Sequence, residues 1–343
     1  MQQVYLWESA SKSSTFRGVG RYVSLLKESI PDLIPLSNLA SAATPSTIIH
    51  PFFNLIGQVA KSYVEKINTK KIAIIHDIVP LKYPKAFPLG IRGRLRTHLN
   101  IRLARKLDMI VTDSEASKQD LVKICGIAGE KIHVVYPYVT EQIGNPKDSN
   151  DESTLLKYHL KKNEYFIYVG DVNWNKNILN IAKAFKNTSY TLVCVGKAFL
   201  EKTKGTPHPW QKEQVAFQEL IADDPHFVCT GHIDDKTLTQ LYKNAVYNLL
   251  ISRDEGFGFS YLEAAKLGTP SILADRPIFR EISKDQGALF VDPENVDAIT
   301  QALITGVEHE LERKHKSFEA QVRQEAFSKE KFTEDWRVLL ALP

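Results

Sequence analysis

The stretch Arg253-Asp254-Glu255-Gly256-Phe257-Gly258-Phe259-Ser260-Tyr261-Leu262-Glu263-Ala264-Ala265-Lys266-Leu267-Gly268-Thr269-Pro270 sets two carboxylates, Glu255 and Glu263, eight positions apart around a Gly-x-Gly turn. The apolar run Tyr247 to Ile251 precedes it and reads as a strand, and the pattern after Gly258 reads as a helix. Glu255 is then expected at the strand's end and Glu263 about two turns into the helix, so that both face one crevice. Glycines at 256 and 258 let the backbone approach a ligand closely, and the amides that open a helix favour an anion such as a diphosphate. Glu263 suits a pair of vicinal hydroxyls, as a ribose presents, and Glu255 a sugar next to the phosphates. A strand, turn and helix with Gly-x-Gly and two solvated glutamates is also ordinary punctuation of a wound sheet.

Working outward, strand-like runs recur at Tyr165 to Val169, Thr191 to Val195, His226 to Cys229, Ser271 to Ala274 and Ala288 to Val291, with helical patterns between them such as Ile178 to Lys186 and Lys236 to Ala245. Such alternation predicts an α/β fold with a parallel sheet covered on both faces. The turns after these strands hold Gly170, Gly196-Lys197, Gly231-His232, Arg253 to Gly258 and Asp275-Arg276. Ligands bind at the carboxyl ends of open parallel sheets, so these turns converge on one crevice.

The first half repeats the plan, with strands at Val4 to Trp7, Thr47 to His50, Lys71 to His76, Met109 to Thr112 and Ile132 to Val135, and helices near Gly20 to Ser29, Leu55 to Lys66 and Glu115 to Lys123. A chain of 343 residues exceeds the usual span of one core, which suggests two domains of about 150 residues each. The polar stretch Glu141 to Ser153 reads as the linker, giving a first domain over 1–150 and a second over 151–326. Glu201 to Lys212, with Gly205, Pro207 and Pro209, reads as a loop.

Three further motifs sit where chemistry is expected. Phe16-Arg17-Gly18-Val19-Gly20-Arg21-Tyr22 precedes a helix, but Val23 stands where a dinucleotide fingerprint wants its third glycine. A glycine loop over a diphosphate or sugar remains compatible with it. Lys176, in Asn173-Trp174-Asn175-Lys176-Asn177, stands at a strand-to-helix turn, where an ammonium is either solvated or placed on a phosphate. His76-Asp77 closes an apolar strand; a histidine there is a half-buried hydrogen-bonded side chain or a group facing a ligand. His50, Asp113-Ser114 and Tyr136-Pro137-Tyr138 also sit at strand ends, and for these the structural role is the expected one.

The carboxylate spacing, the Phe257 and Phe259 pair and the closing Gly268-Thr269-Pro270 resemble the E-x7-E signature of the retaining glycosyltransferases of family 4, the glycosyl transferases group 1, in particular mannosyltransferase-like members. The resemblance continues through Gly231-His232-Ile233-Asp234-Asp235-Lys236, Leu241 to Ala245, Phe279 to Ile282 and Val291 to Glu294, and Gly18-Val19-Gly20-Arg21-Tyr22 is similar to a Gly-Ile-Gly-Arg-Tyr element of that family. It implies a GT-B fold, with two Rossmann-like doubly wound parallel-sheet domains facing a central cleft and a final helix within 327–343 packing back on the first. It implies transfer of a sugar from a nucleotide diphosphate donor, of GDP-mannose type, to a hydroxyl of a glycan or lipid-linked acceptor in surface polysaccharide assembly. His76, Lys176 and Glu255 are the implied catalytic residues, His76 positioning the sugar. The implied donor contacts are Gly18, Gly20, Asn175, Lys176, Gly196, Ile233, Glu255, Gly256, Phe257, Gly258, Phe259 and Glu263, with Ile233 beside the base and Glu263 on the ribose. Asn175 departs from the family, which commonly has arginine there; either Arg253, Arg276 or a residue of the other domain supplies the missing charge, or the diphosphate is held more weakly. A GT-B epimerase or phosphorylase and a non-catalytic GT-B subunit are the alternative readings.

No Cys-x2-Cys pair, His-Glu-x-x-His, strand-end Asp-x-Asp, Gly-x-Ser-x-Gly or P-loop lysine occurs, so no metal and no cofactor beyond the nucleotide sugar is expected. A net charge of +4 gives no sign of nucleic acid binding. The start lacks a secretory signal, no apolar run is long enough to span a bilayer, and Cys125, Cys194 and Cys229 are an odd set at unrelated spacings, which together point to the cytoplasm. The segment 91–106 is basic, with Arg92, Arg94, Arg96, Arg102, Arg105 and Lys106 around a stripe of Ile91, Leu95, Leu99 and Leu103. That helix either packs its stripe on the core or rests on an anionic membrane surface, which would make the protein peripheral at the inner face.

Overall fold

The computed structural model describes residues 3–8, 18–144, 153–201 and 209–342. They divide into two compact units, the chain up to Tyr138 together with Phe327 onward, and Val139–Ala326. Each is a six-stranded, wholly parallel sheet with helices, the α/β arrangement of a GT-B protein. Residues 145–152 of the expected linker and 202–208 of the expected loop fall outside the described residues.

The first unit contains β1 (Gln3–Trp7), β2 (Ile34–Leu36), β3 (Ser46–His50), β4 (Thr69–Ile74), β5 (Met109–Thr112) and β6 (Ile132–Val134), in the order β2-β1-β3-β4-β5-β6. Central strands covered on both faces need continuous apolar runs, and Ile48, Ile49, Ile72, Ala73, Ile74, Ile110 and Val111 are all fully buried. The three-residue β2 escapes pattern reading because Pro35 interrupts it, which an edge strand tolerates. Ser114 caps the helix Glu115–Cys125 by accepting from the Ser117 amide, and Gly126 ends it in the left-handed region at φ 59°. The final helix, Lys329–Leu340, completes this unit. Its Phe332 ring meets Tyr22 and Tyr138 edge-on, Trp336 is fully buried, and Lys329 pairs with Glu28 at 2.5 Å.

Two elements of this unit differ from the sequence expectation for one shared reason. The helix expected over Leu55 to Lys66 shrinks to Lys61–Val64. The helix Gly90–Ala104 turns only the last residue of its apolar stripe inward: Leu103 is buried with Thr97, Asn100 and Ala104, while Ile91, Leu95 and Leu99 point outward. Asn100 links the two departures, because its Nδ2 donates to the Leu55 carbonyl at 3.1 Å and lies 3.4 Å from those of Asn54, Gly57 and Gln58. Carbonyls that converge on one side chain compete with a helix, whose carbonyls must point along a common axis.

The second unit contains β7 (Tyr165–Val169), β8 (Thr191–Val195), β9 (Phe227–Gly231), β10 (Asn248–Leu250), β11 (Ser271–Ala274) and β12 (Ala288–Val291), in the order β12-β11-β10-β7-β8-β9. The connections reverse direction between β7 and β10, which is the topological switch point of a doubly wound sheet and the place where such sheets open a ligand crevice.

Candidate active site

The site is built from the two strands that flank this switch point. After β7 the chain makes a single tight turn, Trp174–Lys176, and starts the helix Ile178–Lys186; after β10 it forms the loop that leads to the helix Phe259–Lys266. Asn177 joins the two. It sits fully buried in the left-handed region at φ 59°, and its Nδ2 donates to the carbonyls of Ile251 (3.1 Å) and Pro293 (2.7 Å). Asparagine tolerates that backbone conformation and brings an amide short enough to reach both.

Across this junction the Lys176 ammonium lies 2.6 and 2.7 Å from the two oxygens of Glu255. The Ser252 hydroxyl donates to Glu255 Oε1 at 2.7 Å, and the Glu255 amide donates to Asp254 Oδ1 at 2.9 Å. Both side chains keep some exposure, so a cation and a carboxylate stand at the open end of the sheet in a fixed mutual position. Asn175 donates from Nδ2 to the Asp254 carbonyl at 3.2 Å and accepts the Arg253 amide on its own carbonyl at 2.7 Å. Its side chain thus ties the two loops together.

Arg253, one of the residues expected to supply the charge absent at Asn175, is committed elsewhere. It is only 6% exposed; Nε donates to Glu294 at 2.8 Å and Nη1 to Glu213 at 2.9 Å and to the Trp174 carbonyl, while the guanidinium lies 4.7 Å from the Trp174 ring centroid. Burial raises the Glu213 pKa, and the adjacent Arg253 charge works against that rise. Arg276 is half-buried and donates from Nε to the Arg253 carbonyl at 3.1 Å, which leaves it the better placed of the two for an anion at this loop.

The glycines serve close packing. A Cβ on Gly196 would meet the Gly170 carbonyl oxygen at 2.1 Å, and hydrogen bonds Gly170 N to Val195 O and Gly196 N to Gly231 O (3.0 Å each) lace the turns after β7, β8 and β9 together. Gly258, at φ 125°, lies against Leu250 and Ile282 at the start of the helix. Gly256 and Phe257 are buried, the Phe257 ring edge-on to a half-buried Phe259 (5.7 Å), so Phe257 is a packing residue of this turn. Ile233, after β9, is half-buried. Glu263 is the fifth residue of its helix, just over one turn in rather than two. It is 2% exposed and its Oε2 accepts from the Tyr242 hydroxyl at 3.1 Å.

In the first unit, His76 follows β4 and Asp113 follows β5, and sheet pairing brings them together: His76 Nδ1 lies 2.7 Å from Asp113 Oδ2, with both side chains buried. Burial acts to lower the His76 pKa, but the charge and hydrogen bond of Asp113, helped by Asp77 and the Pro51 carbonyl, outweigh it and raise the pKa. The Ser117 hydroxyl donates to the His76 carbonyl at 3.1 Å, and the Tyr22 ring meets the imidazole edge-on. The Asp113 partnership is absent from the sequence reading, in which the only signal was a carboxylate at a strand end. His50 is a core residue, enclosed by Trp7, Phe53 and Tyr63 and holding the Phe52 amide on Nδ1 at 3.3 Å, and burial pushes its pKa down to about 4. Gly18 and Gly20 form the first turn of the helix Gly18–Ser29 rather than a loop ahead of it; Phe16 and Arg17 fall outside the described residues. Among the described residues no three His, Cys, Asp or Glu side chains cluster to hold a metal ion.

The family model described as "Glycosyl transferases group 1" matches residues 154–325, and that described as "Glycosyltransferase Family 4" matches residues 7–142. The O-antigen chain mannosyltransferase RfbU of Salmonella typhimurium is 28% identical over 225 residues, which cover 64% of this chain and 56% of that protein. The O-antigen chain mannosyltransferase B of Escherichia coli is 23% identical over 348 residues, covering 95% of this chain and 83% of that one. Among solved structures, sucrose-phosphate synthase from Thermosynechococcus elongatus superposes with a TM-score of 0.79 at 15% identity, covering 99% of this chain and 100% of its own. Anabaena Alr3699/HepE in complex with UDP and glucose gives 0.74 at 14% identity, with coverage of 99% and 100%.

Proposed function

This chain belongs to the glycosyl transferases group 1 family, and we propose that the sugar it transfers comes from a nucleotide diphosphate donor of GDP-mannose type. The observation that carries the reading is the Lys176–Glu255 pair across the switch point, which offers a cation to a departing diphosphate and a carboxylate to the sugar hydroxyls from one place. The donor would lie at the carboxyl ends of β7 and β10, its diphosphate on Lys176 and the backbone of Gly256 to Phe259 and its ribose near Glu263. The mannosyl donor is supported by the names of the two relatives, and the same names support a growing surface polysaccharide as acceptor.

Retention of anomeric configuration follows from a front-side route, in which the leaving phosphate takes the proton of the acceptor hydroxyl as the new glycosidic bond forms. The phosphate charge that develops would be met by Lys176 and backbone amides, without a divalent cation. His76, held by Asp113, would position the sugar.

Product formation from a panel of nucleotide sugars tests the donor. GDP-mannose should be turned over in preference to UDP-glucose and UDP-galactose, with activity surviving EDTA and the product's anomeric proton keeping the donor's configuration by NMR. Preference for a UDP-sugar would overturn the donor assignment, and inversion would overturn the route.

A further inference from the structure

We propose that the outward face of the helix Gly90–Ala104 is a docking surface for an anionic lipid bilayer. Ile91, Leu95 and Leu99 are 81%, 63% and 47% exposed and follow one another at four-residue spacing, which stacks them into a single ridge on a helix. The ridge is not a packing face that has slipped out of register, because the inward face is held by Asn100 on the carbonyls of the 54–58 loop and by buried Thr97 and Ala104, and Leu103, the last residue of the stripe, turns in with them. Arg92, Arg94, Arg96 and Arg102 are exposed around the ridge.

The charge is one-sided beyond the helix itself. From Ile78 to Leu107 the sequence holds Lys82, Lys85, five arginines and Lys106, and not one Asp or Glu. Apolar side chains ringed by arginines match the two layers of a membrane surface, acyl chains below and phosphate headgroups above. A nucleic acid would use the arginines and leave three exposed aliphatic side chains in water, and a second copy of this face would set arginine against arginine. Among the described residues no helix is long and apolar enough to cross a membrane, so the contact would be peripheral. The inference does not depend on which sugar the protein transfers.

The full chain is tested by flotation with vesicles of phosphatidylcholine alone and with roughly one third phosphatidylglycerol, at low salt and at about 0.5 M, where charge is screened within a few ångströms. Binding should require the anionic lipid and fall with salt. Exchanging Arg92, Arg94 and Arg96 together for Gln should weaken it about 100-fold, from about fivefold per arginine. Leu95→Glu with Leu99→Asp should abolish it while circular dichroism and turnover of a water-soluble acceptor stay unchanged, since both side chains are exposed. Equal binding to neutral vesicles, no binding at low salt, or no effect of these substitutions would overturn the proposal. So would sedimentation showing a dimer that Leu95→Glu dissolves, or RNA binding that survives Leu95→Glu with Leu99→Asp.

Discussion

Lys176 spends two of its three ammonium protons on Glu255, so under the proposed function a diphosphate would have to share or displace that pairing. The pair is a local competition between an internal carboxylate and an incoming anion, and each member should matter for a different reason. Under that proposal Lys176→Ala would remove a charge donor to the leaving group and should lower kcat about 10²–10³-fold; Glu255→Gln keeps the shape but frees the lysine, so it should tighten nucleotide diphosphate binding while still losing turnover. Calorimetry with GDP beside steady-state kinetics separates the two, and equal losses of binding in both variants would sink this account. Arg253 acts one step back, because it fastens the Trp174 turn to Glu213 and Glu294. Arg253→Lys cannot span both carboxylates and stack on Trp174, so kcat should fall, by up to about 100-fold if the turn moves by 1 Å, with KM for the donor rising; a lower melting temperature with unchanged kinetic constants would show a purely structural role. Glu255 and Lys176 were legible because each lies near its own strand end in a recognisable motif. Arg253 was legible only as a cation, since its partners Glu213 and Glu294 stand some forty residues away on either side and only the fold brings them near.

Elements were read well where burial and period agree. The strand limits Tyr165–Val169, Thr191–Val195, Ser271–Ala274 and Ala288–Val291 coincide with the apolar runs, because parallel strands buried on both faces have no alternation to confuse. The helix Gly90–Ala104 left two orientations open in sequence for the complementary reason: a periodic apolar stripe normally faces the core, and here one buried amide with several carbonyl partners turns most of it outward. Asn100→Ala should therefore do more than trim a side chain. It strips the 54–58 carbonyls of their donor, at a cost of about 1–3 kcal/mol, and amide exchange should quicken first in the Lys61–Val64 helix and the 54–60 loop. Exchange that quickens uniformly over the first unit instead would mean that Asn100 supports the core and not this loop.

At the scale of the molecule, the two-sheet plan was readable from strand–helix alternation, whereas the first unit's use of the chain's last helix was readable only by resemblance, because contacts between Phe332 and Tyr22 or Tyr138 leave no mark in local sequence. That discontinuous unit also holds the strand-end histidines His50 and His76, which pull its pH dependence in opposite directions, and His133 of β6, whose pKa is lowered by burial and by Lys118 and Lys70 and which acts in the same sense as His50. His50 has a folded pKa of about 4, below its unfolded value near 6.5, so the unfolded chain binds the extra proton between those pH values and stability falls as pH drops through that window. The full loss amounts to about 3 kcal/mol by pH 4. His76 has a raised pKa, so its contribution is complete below pH about 6.5 and fades as pH rises through the folded value. Acid titration of urea unfolding should therefore show the first unit weakening below pH about 6.5, and His50→Gln, which cannot take up a proton, should flatten that slope. Asp113→Asn should remove the charge that holds the His76 pKa up, leave burial to lower it, and so steepen the acid slope. A wild-type acid slope that His50→Gln leaves intact would place the acid-sensitive group elsewhere in the chain.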